Sequence, residues 1–451
     1  MSADGAKSAE NWKALEPEQG CCKVGNKLRK VGIKQNLSPV EKGEVIQFLR
    51  TKGLFMNTTT IFRRLALPDQ ALLFDLEALY GQLQRIKDRR KRRGVRYPLG
   101  DMLMIGILAK LAGQTSSRAI AEWAELRKLE LARLFALRRK TMPHFSTWSR
   151  ILGTAVDPSE VEEVLGRFFA KQVNKPLQPG ERHLCLDGKT LRGTIAIGKS
   201  QGVHLLAAYL PQEGVVLAQV QVSTSGSEVS SAPLLLASLD LRGTVVSGDA
   251  IFASRKLSLK ILQAKGDYLW MIKENQVQMY QEIAALFEPQ PSRPGWSAPP
   301  MDFRSAQSIQ KRHGRREKRR ITVSSLLASY SQWPGLMQVF QIERQRTNAL
   351  GETEQEVHYG ITSLPTSLAT PKRLLALVRE HWGIENGLHY RRDRTLDEDR
   401  SQLRMGHAPH LLALLNNTAI GLIARRGQNN LPRAQRTFDY QFDKALALLA
   451  A

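Results

Sequence analysis

The chain has 451 residues, 42% of them hydrophobic, and carries 66 Lys+Arg against 42 Asp+Glu for a net charge of +24. That balance predicts attraction to a polyanion, of which nucleic acid is the commonest. No long apolar span, signal peptide or lipidation motif supports a membrane role, and Cys21, Cys22 and Cys185 make neither a disulfide framework nor a zinc-ligand set, so the protein reads as cytosolic and reduced.

Residues 1–66 read as a loosely ordered basic arm. From 67 to 180 the apolar spacing is helical, in "LPDQALLFDLEALYGQLQRI", "YPLGDMLMIGILAKLAG", "SSRAIAEWAELRKLELARLFAL" and "DPSEVEEVLGRFFAKQV". The last opens with Asp157 as N-cap, Pro158 at the first helical position and Glu160 as a box partner. Between the first two lies "RIKDRRKRRGVRYP", in which eight of fourteen residues are Arg or Lys. Arg89, Arg90, Arg92 and Arg93 in this run are expected to contact phosphates. "MPHFSTWSRILG" has the outline of half a helix-turn-helix with Ser146 as N-cap, although packing explains Trp148 equally well.

The texture changes near 181. "HLCLDG", "VHLLAAYL" and "VVLAQVQV" are β-rich runs of an antiparallel meander. A helix ("SAPLLLASLD"), a strand ("GTVVSGDA"), a helix ("SRKLSLKILQAKG"), a strand ("DYLWMIK") and a helix ("VQMYQEIAALFE") follow. That order is the order of a ribonuclease H-like α/β domain. It is expected to span 181–426, with a β-rich insertion at about 290–368 behind the Pro-rich "PQPSRPGWSAPP". "RREKRRITVSSL", "LMQVFQIERQRT" and "EVHYGITSL" are the insertion's β segments. One long helix, "PKRLLALVREHWGIENGLHYRRDRTL", closes the domain, and 427–451 read as a tail.

Two strands carry a carboxylate at their ends, Asp187 and Asp249. In the ribonuclease H-like order these strands are neighbours, so the two acids face one point, where strand ends gather ligands. Adjacent acids repel unless cations neutralise them, and hard divalent ions with oxygen ligands do so, Mg²⁺ above all for phosphate chemistry. A third acid is sought on the closing helix. His381, Glu385 and Arg392 are spaced i, i+4 and i+11, which puts them on one α-helical face. Glu385 is therefore chosen, with Asp393 second. Lys189 and Arg192 near the first acid, and Lys273 and Asn275 at the end of "DYLWMIKEN", are expected near phosphates. Glu228 is a second carboxylate of interest or a helix cap. Trp296, Trp333 and Trp382 are the tryptophans weighed for stacking on an unpaired base.

The stretches "LDGKTLRGT" (186–194), "GTVVSGDA" (243–250), "GDYLWMIKENQ" (266–276), "HGRREKR" (313–319) and "REHWGIENGLHYRRDRTLDED" (379–399) resemble the DDE transposases of bacterial insertion sequences, in the H-repeat-associated (ISAs-type) group. The resemblance covers about 67–426. It implies Asp187, Asp249 and Glu385 as metal-binding and catalytic triad, with two Mg²⁺ or Mn²⁺ ions. It makes His313 and Arg315 DNA-binding residues of the insertion, and the helical segment a DNA-binding or associated domain. A related branch carries Tyr-x2-Arg-x3-Glu-x6-Lys, where this chain has Val378, His381, Glu385 and Arg392. His381 and Arg392 then become phosphate contacts. Tyr390 stands where the family usually has Trp, and Leu396 where it usually has a bulky aromatic residue.

The function implied is metal-dependent cleavage and strand transfer at the terminal inverted repeats of an insertion sequence, into target DNA. A homodimer on DNA is expected, in a bacterial cytoplasm and on the nucleoid when bound. The alternatives are a non-catalytic DNA-binding protein domesticated from a transposase, and a nuclease without strand transfer.

Overall fold

In the computed structural model, which describes residues 76–442 and 444 apart from 94, 174–176, 289–300 and 313–314, the apolar runs from the middle of the chain become one mixed sheet. Strands β1 (Arg182–Thr190), β2 (His204–Leu210) and β3 (Val215–Gln221) form an antiparallel meander. Strand β4 (Thr244–Gly248) then pairs parallel to β1, and β5 (Asp267–Ile272) parallel to β4. Parallel neighbours need a crossover, and helices Glu228–Ala237 and Arg255–Gln263 supply it. Every residue of β4 is buried, as its unbroken "TVVSG" run requires. The order β3-β2-β1-β4-β5 fits a ribonuclease H-like core.

The β-rich insertion continues this sheet. Strands β6 (Arg304–Arg312), β7 (Arg315–Ser324), β8 (Gln338–Thr347) and β9 (Thr353–Thr362) continue it in the order β5-β9-β8-β7-β6. The join is antiparallel, with Leu269 opposite Thr362 and Ile272 opposite Tyr359. Strand β6 has no counterpart in the sequence reading, because "RSAQSIQKR" holds a single β-branched residue, Ile309, and no aromatic one. Val323, Phe340 and Ile342 from this extension bury against Leu374, Leu375 and Val378 of helix Pro371–Ile384. The Pro-rich stretch 289–300 lies outside the described residues, as do residues 1–66.

The helical stretch before β1 contains helices Leu76–Leu83, Leu99–Leu111, Ser117–Leu126, Lys128–Leu134, Phe145–Arg150 and Pro158–Val173. Asp157 holds the start of the last, accepting from Ser159 N–H at 3.1 Å. Glu160 closes no capping box, since its carboxylate accepts from Lys87 N–H at 3.0 Å. His144, not Ser146, caps Phe145–Arg150, and Trp148 is buried in the packing. The described residues fall within one compact unit. Helix Ala408–Arg425, buried from Ala408 to Ile423, joins its parts. Leu415 packs at Gly106 in the helical stretch, and Gly421 lies against both Phe169 and Val215 of β3. The expected tail holds a further helix, Leu431–Tyr440. Trp123 Nε1 donates to Asp439 Oδ1 at 3.1 Å, and Arg127 Nη2 donates to the Asp439 carbonyl at 2.6 Å.

A polar knot sits inside this assembly. Arg392 Nε lies 2.7 Å from Glu398 Oε2, with 0% and 2% of the two side chains exposed. Asn416 Nδ2 donates to Glu398 Oε1 at 2.8 Å. Nearby, burial pulls the Lys110 ammonium down to about 7 against the raising field of Glu398. Removing one partner of such a pair leaves a buried charge uncompensated. Glu398→Ala is therefore expected to cost about 3–5 kcal/mol, read as a fall in the urea midpoint. The double variant Arg392→Met, Glu398→Leu should lose less than Glu398→Ala alone. Greater loss in the double variant would show that the pair itself stabilises the interior.

Candidate active site

The parallel register of β1 and β4 pairs Leu186 with Gly248, so Asp187 and Asp249 are each the next residue on neighbouring strands. Strand β1 does not end at Asp187, however. It runs on to Thr190, with Gly188 opposite Leu206 and Thr190 opposite His204 of β2. A Cβ on Gly188 would come within 2.0 Å of Glu228 Oε1, so glycine here makes room for a carboxylate rather than for a bend. Glu228 Oε1 bonds His204 Nε2 at 2.6 Å, and His204 Nδ1 bonds Thr190 Oγ1 at 2.7 Å. Ser227, not Glu228, is the cap of the following helix.

Side chains alternate along a strand, and His183, Cys185, Asp187 and Lys189 share the opposite face of β1. His183 Nδ1 meets Glu380 Oε2 at 2.9 Å, Asp187 Oδ2 meets His389 Nε2 at 2.9 Å, and Lys189 Nζ meets Asp393 Oδ1 at 2.6 Å. His183 Nε2 also bonds Ser247 Oγ at 2.7 Å, which bonds His381 Nδ1 at 3.0 Å. This buried polar layer ties β1, β4 and helix Pro371–Ile384 together. Burial pushes the His381 imidazole down to about 4, the neighbouring His183 adds to the shift, and Asp187 and Asp249 oppose it. Burial also lowers His183 and raises the Cys185 thiol. Burial would raise Glu380, yet the bond from His183 holds its carboxyl below the usual range.

The closing helix changes its winding where Glu385 begins. Two π-helical turns, Glu385–His389 and Arg391–Thr395, follow helix Pro371–Ile384. The one-face expectation for His381, Glu385 and Arg392 fails, and the wide winding accounts for the displacement of Arg392. His381 points inward to Ser247, Glu385 is exposed, and Arg392 is interior and paired with Glu398. Neither His381 nor Arg392 is presented to a phosphate. Lys189 is likewise engaged, with 9% of its side chain exposed between Asp393 and Asp399. Glu385 opens into a depression of about 510 Å³ lined also by Arg192, Asn386, Tyr390, Asp393, Arg394, Asp397, Asp399 and Arg400. Arg192, 81% exposed, also lies there, with its Nε 3.7 Å from Asp399 Oδ2.

Asp249 lines a second depression of about 600 Å³ with Lys273, Asn275, Tyr280, His358 and Tyr359. Lys273 Nζ is 3.6 Å from Asp249 Oδ1. Asn275 is exposed, and its Nδ2 donates to the Ala250 carbonyl at 2.9 Å. In the basic run, Arg92 and Arg93 are exposed, whereas Arg89 pairs with Asp157 at 2.5 Å and Arg90 with Asp88 at 2.7 Å. Arg90 also holds the Tyr97 carbonyl at 2.8 Å, which makes it part of the local fold. His313 and the side chain of Arg315 lie outside the described residues, as does Trp296. Trp333 is buried against Ser258, and Trp382 lies under Arg319 and Arg344, so neither offers a bare face.

The donor set suits a hard divalent cation. Two carboxylates emerge side by side, and the chain's own His389 and Lys273 now stand against them. Among the described residues, no three or more His, Cys, Asp or Glu side chains converge closely enough to hold a metal ion. Among the same residues, no helix is long and apolar enough to cross a membrane.

The family described as transposase DDE domain matches residues 178–422, and the DDE_Tnp_1-associated family matches 80–169. The chain is similar to YncI of Escherichia coli O157:H7, which bears a transposase name, at 28% identity over 363 residues, 77% of this chain and 87% of YncI. It is similar to YhhI of Escherichia coli (strain K12), which bears an H repeat-associated transposase name, at 25% identity over 357 residues, 77% of this chain and 91% of YhhI. YbfL of the same strain is 25% identical over 358 residues, with the same shares covered.

The depressed His381 pKa has a direct consequence for stability. The unfolded chain binds a proton at this ring below 6.5, the folded chain only below about 4. The stability gained by keeping the ring neutral is thus full above 6.5 and is lost as pH falls from 6.5 towards 4. His183 acts in the same direction. Replacing His381 by Asn should flatten the decline of the thermal midpoint between pH 6.5 and 4. An equally steep decline in the variant would assign the acid sensitivity to other groups.

Proposed function

The chain belongs to the transposase DDE domain family and is a DNA transposase, and on that premise we propose that Asp187, Asp249 and Glu385 form its catalytic metal-binding set. The observation that carries this reading is the β1–β4 register, which brings Asp187 and Asp249 out at neighbouring strand positions. Two hard-oxygen ligands side by side suit Mg²⁺ or Mn²⁺. Glu385 lies on the turn that also carries His389, whose ring meets Asp187. The chemistry supplied by two bound ions is activation of water or a DNA 3′-hydroxyl and stabilisation of the leaving oxygen in an in-line displacement.

The protein's own groups bind and orient the DNA. Arg192, which lines the same depression as Glu385, and Lys273, which lines the same depression as Asp249, would grip phosphates adjoining the reacting one. Asn275 closes the Asp249 side through its bond to Ala250. Arg92 and Arg93 add sequence-independent phosphate contacts, as does the basic run around His313 and Arg315. In this reading the protein cuts the terminal inverted repeats of its element and joins the freed 3′ ends to target DNA. Cutting two ends together calls for at least a homodimer on DNA. The site of action is the bacterial nucleoid.

The test is incubation of the protein with duplexes carrying the inverted repeats that flank its gene, with and without Mg²⁺. Strand cleavage and joining are followed on gels. Asp187→Ala, Asp249→Ala and Glu385→Ala should each abolish most cleavage, because metal ligands act as a unit, while gel shifts persist. Normal cutting by Glu385→Ala with a dead Asp393→Ala would move the third acid to Asp393. Neutralising Arg92 and Arg93 should weaken binding to all sequences and lower the salt slope by roughly 0.9 per lost phosphate contact. The same slope in that variant would make the two arginines a solvated surface.

A further inference from the structure

His389 has no role in the triad reading, yet it is the residue that touches the first acid. It ends the π turn Glu385–His389, is buried, and places Nε2 2.9 Å from Asp187 Oδ2. Its other nitrogen, Nδ1, is buried without a hydrogen-bond partner. The ring's polar capacity is therefore directed at one carboxylate oxygen, and Nε2 must carry the proton that makes this bond. Asp187 Oδ1 accepts from Gly188 N–H at 2.9 Å. The carboxylate is held at both oxygens, and each oxygen keeps a further lone pair for a cation.

The turn that delivers His389 is itself seated. Gly387 has no Cβ, and one there would come within 2.6 Å of the Tyr209 hydroxyl on β2. Leu388 is fully buried beside it. The wide turn thus rests on the sheet at Gly387 and is buried at Leu388 before presenting the buried imidazole, and the ring has little freedom to swing away.

We propose that His389 is the positioning residue of Asp187, fixing the carboxylate so that a divalent cation meets it already oriented. The inference rests on Asp187 being a metal ligand. Hydrogen bonds to a ligating carboxylate fix its orientation before the metal arrives, and losing such a partner typically weakens metal binding about 10–100-fold. Lys189 cannot take over, because its ammonium is engaged by Asp393 and Asp399.

The experiment measures Mn²⁺ binding to the full-length protein, by the EPR signal of free Mn²⁺, alongside thermal melts. Asp187→Ala should lose the binding. His389→Leu should bind Mn²⁺ about 10–100-fold more weakly while melting as the wild type does. His389→Gln, which retains an N–H donor near the Nε2 position, should stay close to wild type. Binding by His389→Leu as tight as wild type, or tighter, overturns the inference; tighter binding would mean that the ring competes with the cation. A well-folded Gln variant as weak as the Leu variant also overturns it, and it carries the test if the Leu variant fails to fold. Undiminished binding in Asp187→Ala removes the premise that Asp187 is a ligand, a result distinct from any behaviour of the His389 variants.

Discussion

Two carboxylates at neighbouring positions of adjacent parallel strands, Asp187 within β1 and Asp249 just past β4, stand on backbones about 4.7–4.9 Å apart, and like charges so near oppose one another. Much of the architecture around β1 and β4 answers that constraint. His389 faces Asp187, Lys273 faces Asp249, and each comes from a different element. The backbone contributes as well, since each acid accepts from the N–H that follows it, Gly188 and Ala250. A pair of acids this close is tolerated because the surrounding donors are already aimed at them.

Behind the acids the same economy of fixed donors continues. His183, Ser247, His381 and Glu380 make a chain of hydrogen bonds across β1, β4 and helix Pro371–Ile384. Buried polar groups are costly unless satisfied, and satisfied ones specify a single arrangement. An apolar layer at this place would let the helix slide along its axis over the sheet. The polar layer fixes its position, and with it the distance from the acids to the turn that begins at Glu385. The two π turns that follow have the local winding often found where a helix serves a site.

The sequence reveals the sheet and the two strand-borne acids plainly, because period-2 apolar runs and their turn residues are local signals. Asp249 behind "TVVSG" and Asp187 behind "HLCL" follow from chain order alone. The faces of the closing helix are less legible. Spacing arithmetic assumes 3.6 residues per turn, and the wide winding that starts at Glu385 carries Arg392 into the core, while Glu385 itself is exposed. Lys189 looks free beside an acid in the sequence, but its partners Asp393 and Asp399 are some two hundred positions away. His389 is hidden for the same reason, since its partner Asp187 is equally far along the chain. The one usable hint was His183, two and four residues before Cys185 and Asp187 on the same strand face, which marks that face as polar. Strand β6 was missed because pairing with β7, rather than its own composition, makes it a strand.

Helix Ala408–Arg425 and helix Leu431–Tyr440 also determine when the protein can finish folding. The first packs at Gly106 and Phe169, and the second ties Asp439 to Trp123, more than three hundred residues earlier. Chains emerge from the ribosome N-terminus first, so the early helices wait through synthesis of the entire sheet before their covering helices arrive. During that interval their apolar faces are exposed. A product that stops short of residue 408 lacks this cover permanently and leaves buried residues such as Trp148 and Phe169 in an open core. Completion of the last part of the chain is thus a condition for closing the core of the early helices.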